Sequence, residues 1–230
     1  MRKLVSLAAL TGCVQIPRDT AGLDDGSESS DRCSSWASIS PEGSLRSFQT
    51  TASYESSMGT ASQFVSEVVS ITPDGDGVEV LLVVDGSSQS ESWESYIYQT
   101  TSIYRCDSQG AWLLSSATES TLVQQGITVE NQAETVYTDS FIMPREIALG
   151  DHWLSVFSGT TTTSAGTQSH SYVIESEITA TDTVTVGAGS YSALVVSETF
   201  EDGRRSDYRV ADGPGFLLSE EYELVGYEGP

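Results

Sequence analysis

From residue 45 to residue 228 the chain alternates apolar or aromatic residues with Ser, Thr and Glu at period two, the pattern of half-buried β-strands. Tyr172, Ile174 and Ile178 fall on one face of such a run, with Glu175 and Glu177 on the other. Phe216, Leu218, Tyr222 and Leu224 repeat the pattern opposite Ser219, Glu221 and Glu223. Turn residues punctuate the runs. Pro73-Asp74-Gly75-Asp76-Gly77 separates 63–72 from 78–85, and Asp107-Ser108-Gln109-Gly110 separates 92–105 from 111–124. Gly187-Ala188-Gly189 and Glu201-Asp202-Gly203 mark two further hairpins. Val80–Val84 is apolar throughout, which predicts a strand covered on both faces. No twelve-residue amphipathic helix is legible. Roughly ten antiparallel strands predict a mainly β domain: a curved sheet, an open half-barrel or a sandwich.

The N-terminal end reads differently. Arg2 and Lys3 precede the apolar run Leu4–Leu10, followed by Leu10-Thr11-Gly12-Cys13. That order resembles the lipobox of bacterial lipoproteins, in which the Cys thiol takes a diacylglycerol and a small residue before it gives the peptidase access. Residues 1–12 are therefore expected to be a signal peptide and Cys13 the lipidated N-terminus, held in a bacterial cell envelope. Two acyl chains are enough for stable anchoring. Val14, where an Asp favours inner-membrane retention in enteric bacteria, points toward the outer membrane. Residues 13–44 read as the lipidated Cys and an acidic, Ser- and Gly-rich tether, because such composition cannot bury enough surface to offset its ordering entropy. Residues 45–230 then form a single β domain.

Composition narrows the partners. The 230 residues carry 33 Asp and Glu against 10 Lys and Arg, a net charge of −23. Removing the leader takes Arg2 and Lys3, the one lysine, and no acid, which leaves −25. Nucleic acid is excluded as an expected partner, since phosphate contacts need cations. The acids are spread along the chain, which reads as adaptation to salt, with the alternative of a functional acidic face for a cationic partner.

With Cys13 lipidated, Cys33 and Cys106 remain, and an oxidising envelope permits a bridge between them. Such a bridge would close a loop of about 73 residues and contribute about 4 kcal/mol on the chain-entropy model. Two free thiols, or a bridge to another protein, are the alternatives.

Two segments carry a further resemblance. Val184-Thr185-Val186-Gly187-Ala188-Gly189-Ser190-Tyr191 and the apolar strand after it resemble a hairpin common to bacterial envelope proteins of unknown function. Tyr208–Leu218, with Gly213-Pro214-Gly215, is similar to that group's closing motif, and Gly150-Asp151-His152-Trp153 to its strand start. Gly187 stands where Pro is usual, Pro214 where Val is usual and Arg209 where Trp is usual. The resemblance covers roughly residues 140–228. It implies a LolA-like curved sheet, an uncharacterised family, and a concave face able to hold apolar groups.

Candidate chemistry is sparse. His152 and His170 read as polar strand positions rather than metal ligands, and no Gly-x-Ser-x-Gly elbow is present. Asp74 and Asp76 are explained by a turn, without the further carboxylates that calcium needs. Glu201, Asp202, Arg204 and Arg205 read as cross-turn pairs. No cofactor, metal or catalytic residue is expected. Trp93, Tyr96, Tyr98, Tyr104 and Trp112 cluster around one hairpin and are the candidate ligand groove. The sequence thus predicts a non-enzymatic, lipid-anchored envelope protein holding a lipid or other apolar ligand in a half-barrel. The alternative is a structural or protein-interaction lipoprotein with no small ligand.

Overall fold

A computed structural model describes residues 42–90, 92–211 and 214–229. The expected signal peptide, Cys13, the tether to residue 41 and Cys33 lie outside the described residues.

Thirteen strands form one antiparallel sheet. They are β1 (Leu45–Thr50), β2 (Thr60–Asp74), β3 (Gly77–Ser90), β4 (Trp93–Cys106), β5 (Gly110–Gln124), β6 (Ile127–Asp139), β7 (Phe141–Pro144), β8 (His152–Thr163), β9 (Gly166–Val186), β10 (Gly189–Phe200), β11 (Arg205–Ala211), β12 (Gly215–Ser219) and β13 (Tyr222–Glu228). Apart from β7, each strand pairs with its neighbours in sequence, and the first strand pairs with the last from Leu45↔Glu228 to Thr50↔Tyr222. The result is an up-and-down barrel of twelve strands, with β7 continuing β6 past Ser140 along the lower part of β5. This corrects the expected half-barrel or sandwich: the sheet is closed. Period-two alternation is a local property and does not register whether the two ends of a meander meet.

The hairpins fall where the turn residues predict. β2 and β3 close at Asp74↔Gly77 with Gly75 at φ +60°, a backbone region open to glycine at little cost. The run 216–224 is not one strand. It breaks at Ser219, whose hydroxyl accepts from the amides of Glu221 and Tyr222, and Phe216 and Leu217 are both buried. The β11–β12 register shifts beside it, between Arg209 and Val210. In β3, Val80 and Leu82 are buried, whereas Leu81 and Val83 on the other face are half-buried, so cover is complete on the inner face alone. One short helix, α1 (Ala52–Met58), joins β1 to β2. Thr51 caps it by accepting from Tyr54, Gly59 ends it at φ +62°, and none of its residues is buried.

Twelve strands enclose more space than the eight whose side chains just fill a barrel. Large rings occupy much of it. Phe48 stacks on Phe64 at 4.6 Å and meets Phe216 at 5.6 Å, which in turn lies 6.1 Å from Tyr208. Phe157 and Trp153 fill the β8 side. Below them the β9–β10 tip turns in against β13: the Ala188 amide donates to the Leu224 carbonyl at 3.3 Å. A Cβ on Gly187 would lie 3.0 Å from the Val225 Cα, so the glycine at that position serves this close approach. β7 gives Ile142 and Met143 to the same floor. It has no ladder to β8. Instead, the Trp153 indole (2.8 Å) and the Ser155 hydroxyl (2.5 Å) both donate to the Ile142 carbonyl.

Candidate functional site

Burial is graded along the barrel axis. The turns at 74–77, 106–110 and 186–189 lie at the filled lower end; those at 124–127, 163–166 and 200–205, together with α1, lie at the upper end. Inward residues of the lower strands are buried, as in Val80, Tyr104, Leu113 and Ile178. Towards the upper rim the same faces become half-exposed, as in Tyr96, Tyr98, Thr118, Ser120, Ala133 and His170. The interior therefore opens into a mouth.

One side of that mouth is a wall of hydroxyls. Thr100 and Thr118 are hydrogen-bonded across β4–β5 at 3.0 Å, and Thr135 and Thr161 across β6–β8 at 2.8 Å. β-Branched residues suit strand positions, and pairing satisfies hydroxyls that point inward. Beside it lies an aromatic set. His170 is held between Tyr137 and Tyr172, at 5.8 and 6.2 Å between ring centres, and Tyr172 stacks on Phe157 at 5.0 Å. Gly159, paired with both Tyr137 and His170, leaves the room these rings use; a Cβ there would come 2.6 Å from the Val136 carbonyl oxygen. Across the lumen Tyr98 covers Gly86, where a Cβ would lie 2.2 Å from its ring. Burial raises the Tyr98 hydroxyl well above its ordinary range and pushes Tyr222 up to about 12, so both remain neutral donors.

The predicted groove is divided. Tyr96, Tyr98 and Tyr104 share the inner face of β4, but Tyr104 lies in the buried floor and the other two near the rim. Trp93 lies beyond a register shift at Ser88/Ser90, and its buried Nε1 has no partner. Trp112 is opposite Arg105 on the outer face and packs edge-on to Phe141 at 5.5 Å. Cys106 is buried in the lower end of β4; the described residues hold no disulfide, and the expected partner Cys33 lies outside them.

The histidines are far apart in role. His152 is exposed on the outer face of β8 opposite Glu177, whereas His170 is inside. Among the described residues no three His, Cys, Asp or Glu side chains converge as metal ligands would. Asp74, Asp76 and Asp107 gather on Arg105 at 3.8, 3.1 and 3.8 Å. Arg204 pairs with Asp202 at 2.8 Å and lies 4.9 Å over the Phe200 ring.

Two buried charged side chains are not singled out by motif. Arg46 is 2% exposed, in phase with Phe48, and donates to the Ser66 hydroxyl at 2.8 Å. Glu198 is 7% exposed, in phase with Val196 and Phe200, and takes a hydrogen bond from Tyr208. Burial pushes its carboxyl up to about 7, against which the Tyr208 bond acts in part. The phase of each residue with its apolar neighbours is the signal that places them inside.

The outer wall mixes exposed acids with exposed apolar residues such as Ile97, Val136 and Leu154. Glu67, Glu119, Glu130, Glu175 and Glu177 are exposed on it.

No family model matches the chain, and no curated protein matches it. Among solved structures it is similar to a β-barrel-like protein of a domain of unknown function (DUF1849) from Brucella abortus. The two are 8% identical with a TM-score of 0.44, over 83% of this chain and 98% of that one. The likeness is loose, and the closed barrel rests on this chain's own strand pairing.

Proposed function

We propose that this protein is a lipid-anchored, non-catalytic component of a bacterial cell envelope that holds a lipid or other apolar ligand in the mouth of its barrel. The observation that carries the reading is the gradient inside: a floor filled by the chain's own rings beneath a half-exposed mouth of aromatic and hydroxyl groups. The ligand occupies the upper third, not a deep tunnel, because the lower interior is packed. Cys13 ties the chain to one membrane, which suits local holding rather than shuttling. Cys13→Ala should move the protein to the soluble fraction, and continued membrane fractionation would remove the anchor from the account. Native mass spectrometry of the full chain, released in mild detergent, tests the ligand through an adduct of lipid mass.

The second reading is a structural or protein-interaction lipoprotein. The filled floor favours it, as do the exposed Ile97, Val136 and Leu154 on the outer wall. A ligand-free mass that persists under gentle conditions selects it.

A further inference from the structure

The interior polar groups of β9, β10 and β11 lie in one place. Ser176 and Glu198 are register partners on adjacent strands, so their side chains lie side by side on the inner face. Ser176 is 1% exposed, and its hydroxyl has no hydrogen-bond partner. Glu198 is satisfied on one side by Tyr208. A buried hydroxyl left unpaired beside a buried carboxyl is costly in a wall otherwise made of Ile174, Ile178 and Val196. Phe200, two residues above Glu198 and about 7 Å along the strand, is half-exposed at the rim. On β9, Ile174 above Ser176 is buried and Tyr172 above that is half-exposed, so the pair lies one to two steps below the mouth.

We infer that Ser176 and Glu198 form the polar end of the ligand site and receive the primary ammonium group of an amphiphile whose chain lies in the aromatic mouth. This rests on the ligand-holding reading above and gives that ligand a head group. Both side chains offer acceptors, which matches a head that only donates. An ammonium would restore the charge balance of a buried carboxylate, as burial of a charge requires.

Among the described residues, the titratable or charged groups turned to the interior also include Tyr208 of β11, His170 and Tyr172 of β9, Tyr137 of β6, Tyr96, Tyr98, Tyr104 and Cys106 of β4, Tyr222 of β13 and Arg46 of β1. Burial pushes Glu198 up to about 7, against the partial lowering by the Tyr208 hydrogen bond. The amine stays protonated between pH 6 and 8, so its binding should strengthen as Glu198 ionises across that range.

The test uses the full chain and dodecylamine, dodecanol, dodecanoate and butylamine as probes, by native mass spectrometry and thermal shift at pH 6 and 8. The expected result is dodecylamine bound at least tenfold more tightly than dodecanol at pH 8. The preference should shrink at pH 6 and fall to within about twofold in Glu198→Gln. Ser176→Ala, which is smaller and fits the same space, should weaken the amine alone. Dodecyl chains bound without head-group preference would overturn the inference and leave the ligand reading intact. Binding of none of the dodecyl probes would overturn both. Butylamine bound as tightly as dodecylamine would keep the amine site and overturn its lipid chain.

Discussion

Glu198 is a carboxyl in the inner wall of the barrel, and its titration is a statement about stability. Its folded value, about 7, lies above the ordinary 4.5. The neutral acid is therefore favoured by folding, and the stability it contributes is present below pH 4.5 and lost as pH rises through 7. Over that window the loss is about 3 kcal/mol. Glu198→Gln should flatten it: urea midpoints of the variant and the parent should agree near pH 5, with the variant more stable by about that amount at pH 8. Equal pH slopes would mean that Glu198 is solvated. Strand phase with Val196 and Phe200 is a signal that could place this acid inside, but residue type argues against it, since most acids here face water. Gln125 shows another limit. It sits at φ +53° in the β5–β6 turn before Gly126, where Asn or Gly is ordinary. Gln125→Gly should raise stability by about 0.5–1 kcal/mol in chemical denaturation; a loss would mean that the glutamine side chain holds the turn.

At the scale of elements the hairpins were legible and the contacts between them were not. Asp74-Gly75-Asp76-Gly77 and Gly187-Ala188-Gly189 declare turns because few other residues accept such backbones. Nothing local announces that Gly86 lies beneath Tyr98, or that Trp112 leaves the inner face its neighbours occupy; both depend on register across β3–β5. Gly86→Ala should cost about 1–3 kcal/mol by overpacking. Most of that loss should disappear when Tyr98→Ala is the background, in a double-mutant cycle of melting midpoints. Additive losses would place the Tyr98 ring elsewhere. The β7–β8 seam lacks a ladder and depends on two donors to the Ile142 carbonyl. Ser155→Ala removes one and should cost about 1 kcal/mol, with faster amide exchange confined to 141–144 and 152–157. Exchange unchanged there would mean that the indole alone holds the seam.

For the whole molecule, closure is the property that pattern could not carry. It is made by β1 and β13, which are separated by nearly the full length of the domain. Loop-closure entropy grows slowly with that separation, so the pairing is affordable once each strand has an inner face to bury. The charge belongs to the same scale. A net −23 with acids around the outer wall repels itself, and neutral salt screens that repulsion. Melting temperature should rise between low and molar NaCl; a flat response would count against adaptation to salt.

The ligand proposed above would sit in an open mouth over a filled floor. Ala133 lies half-buried on the inner face of β6 opposite Thr118 and Thr163. Its replacement by Trp would fill the mouth without touching the floor. Native mass spectra of the parent and Ala133→Trp full chains, taken from the same membranes, make the most direct comparison. An adduct of lipid mass should appear on the parent and none on a variant of equal melting temperature. A parent free of any adduct, or an adduct carried equally by both, would contradict it.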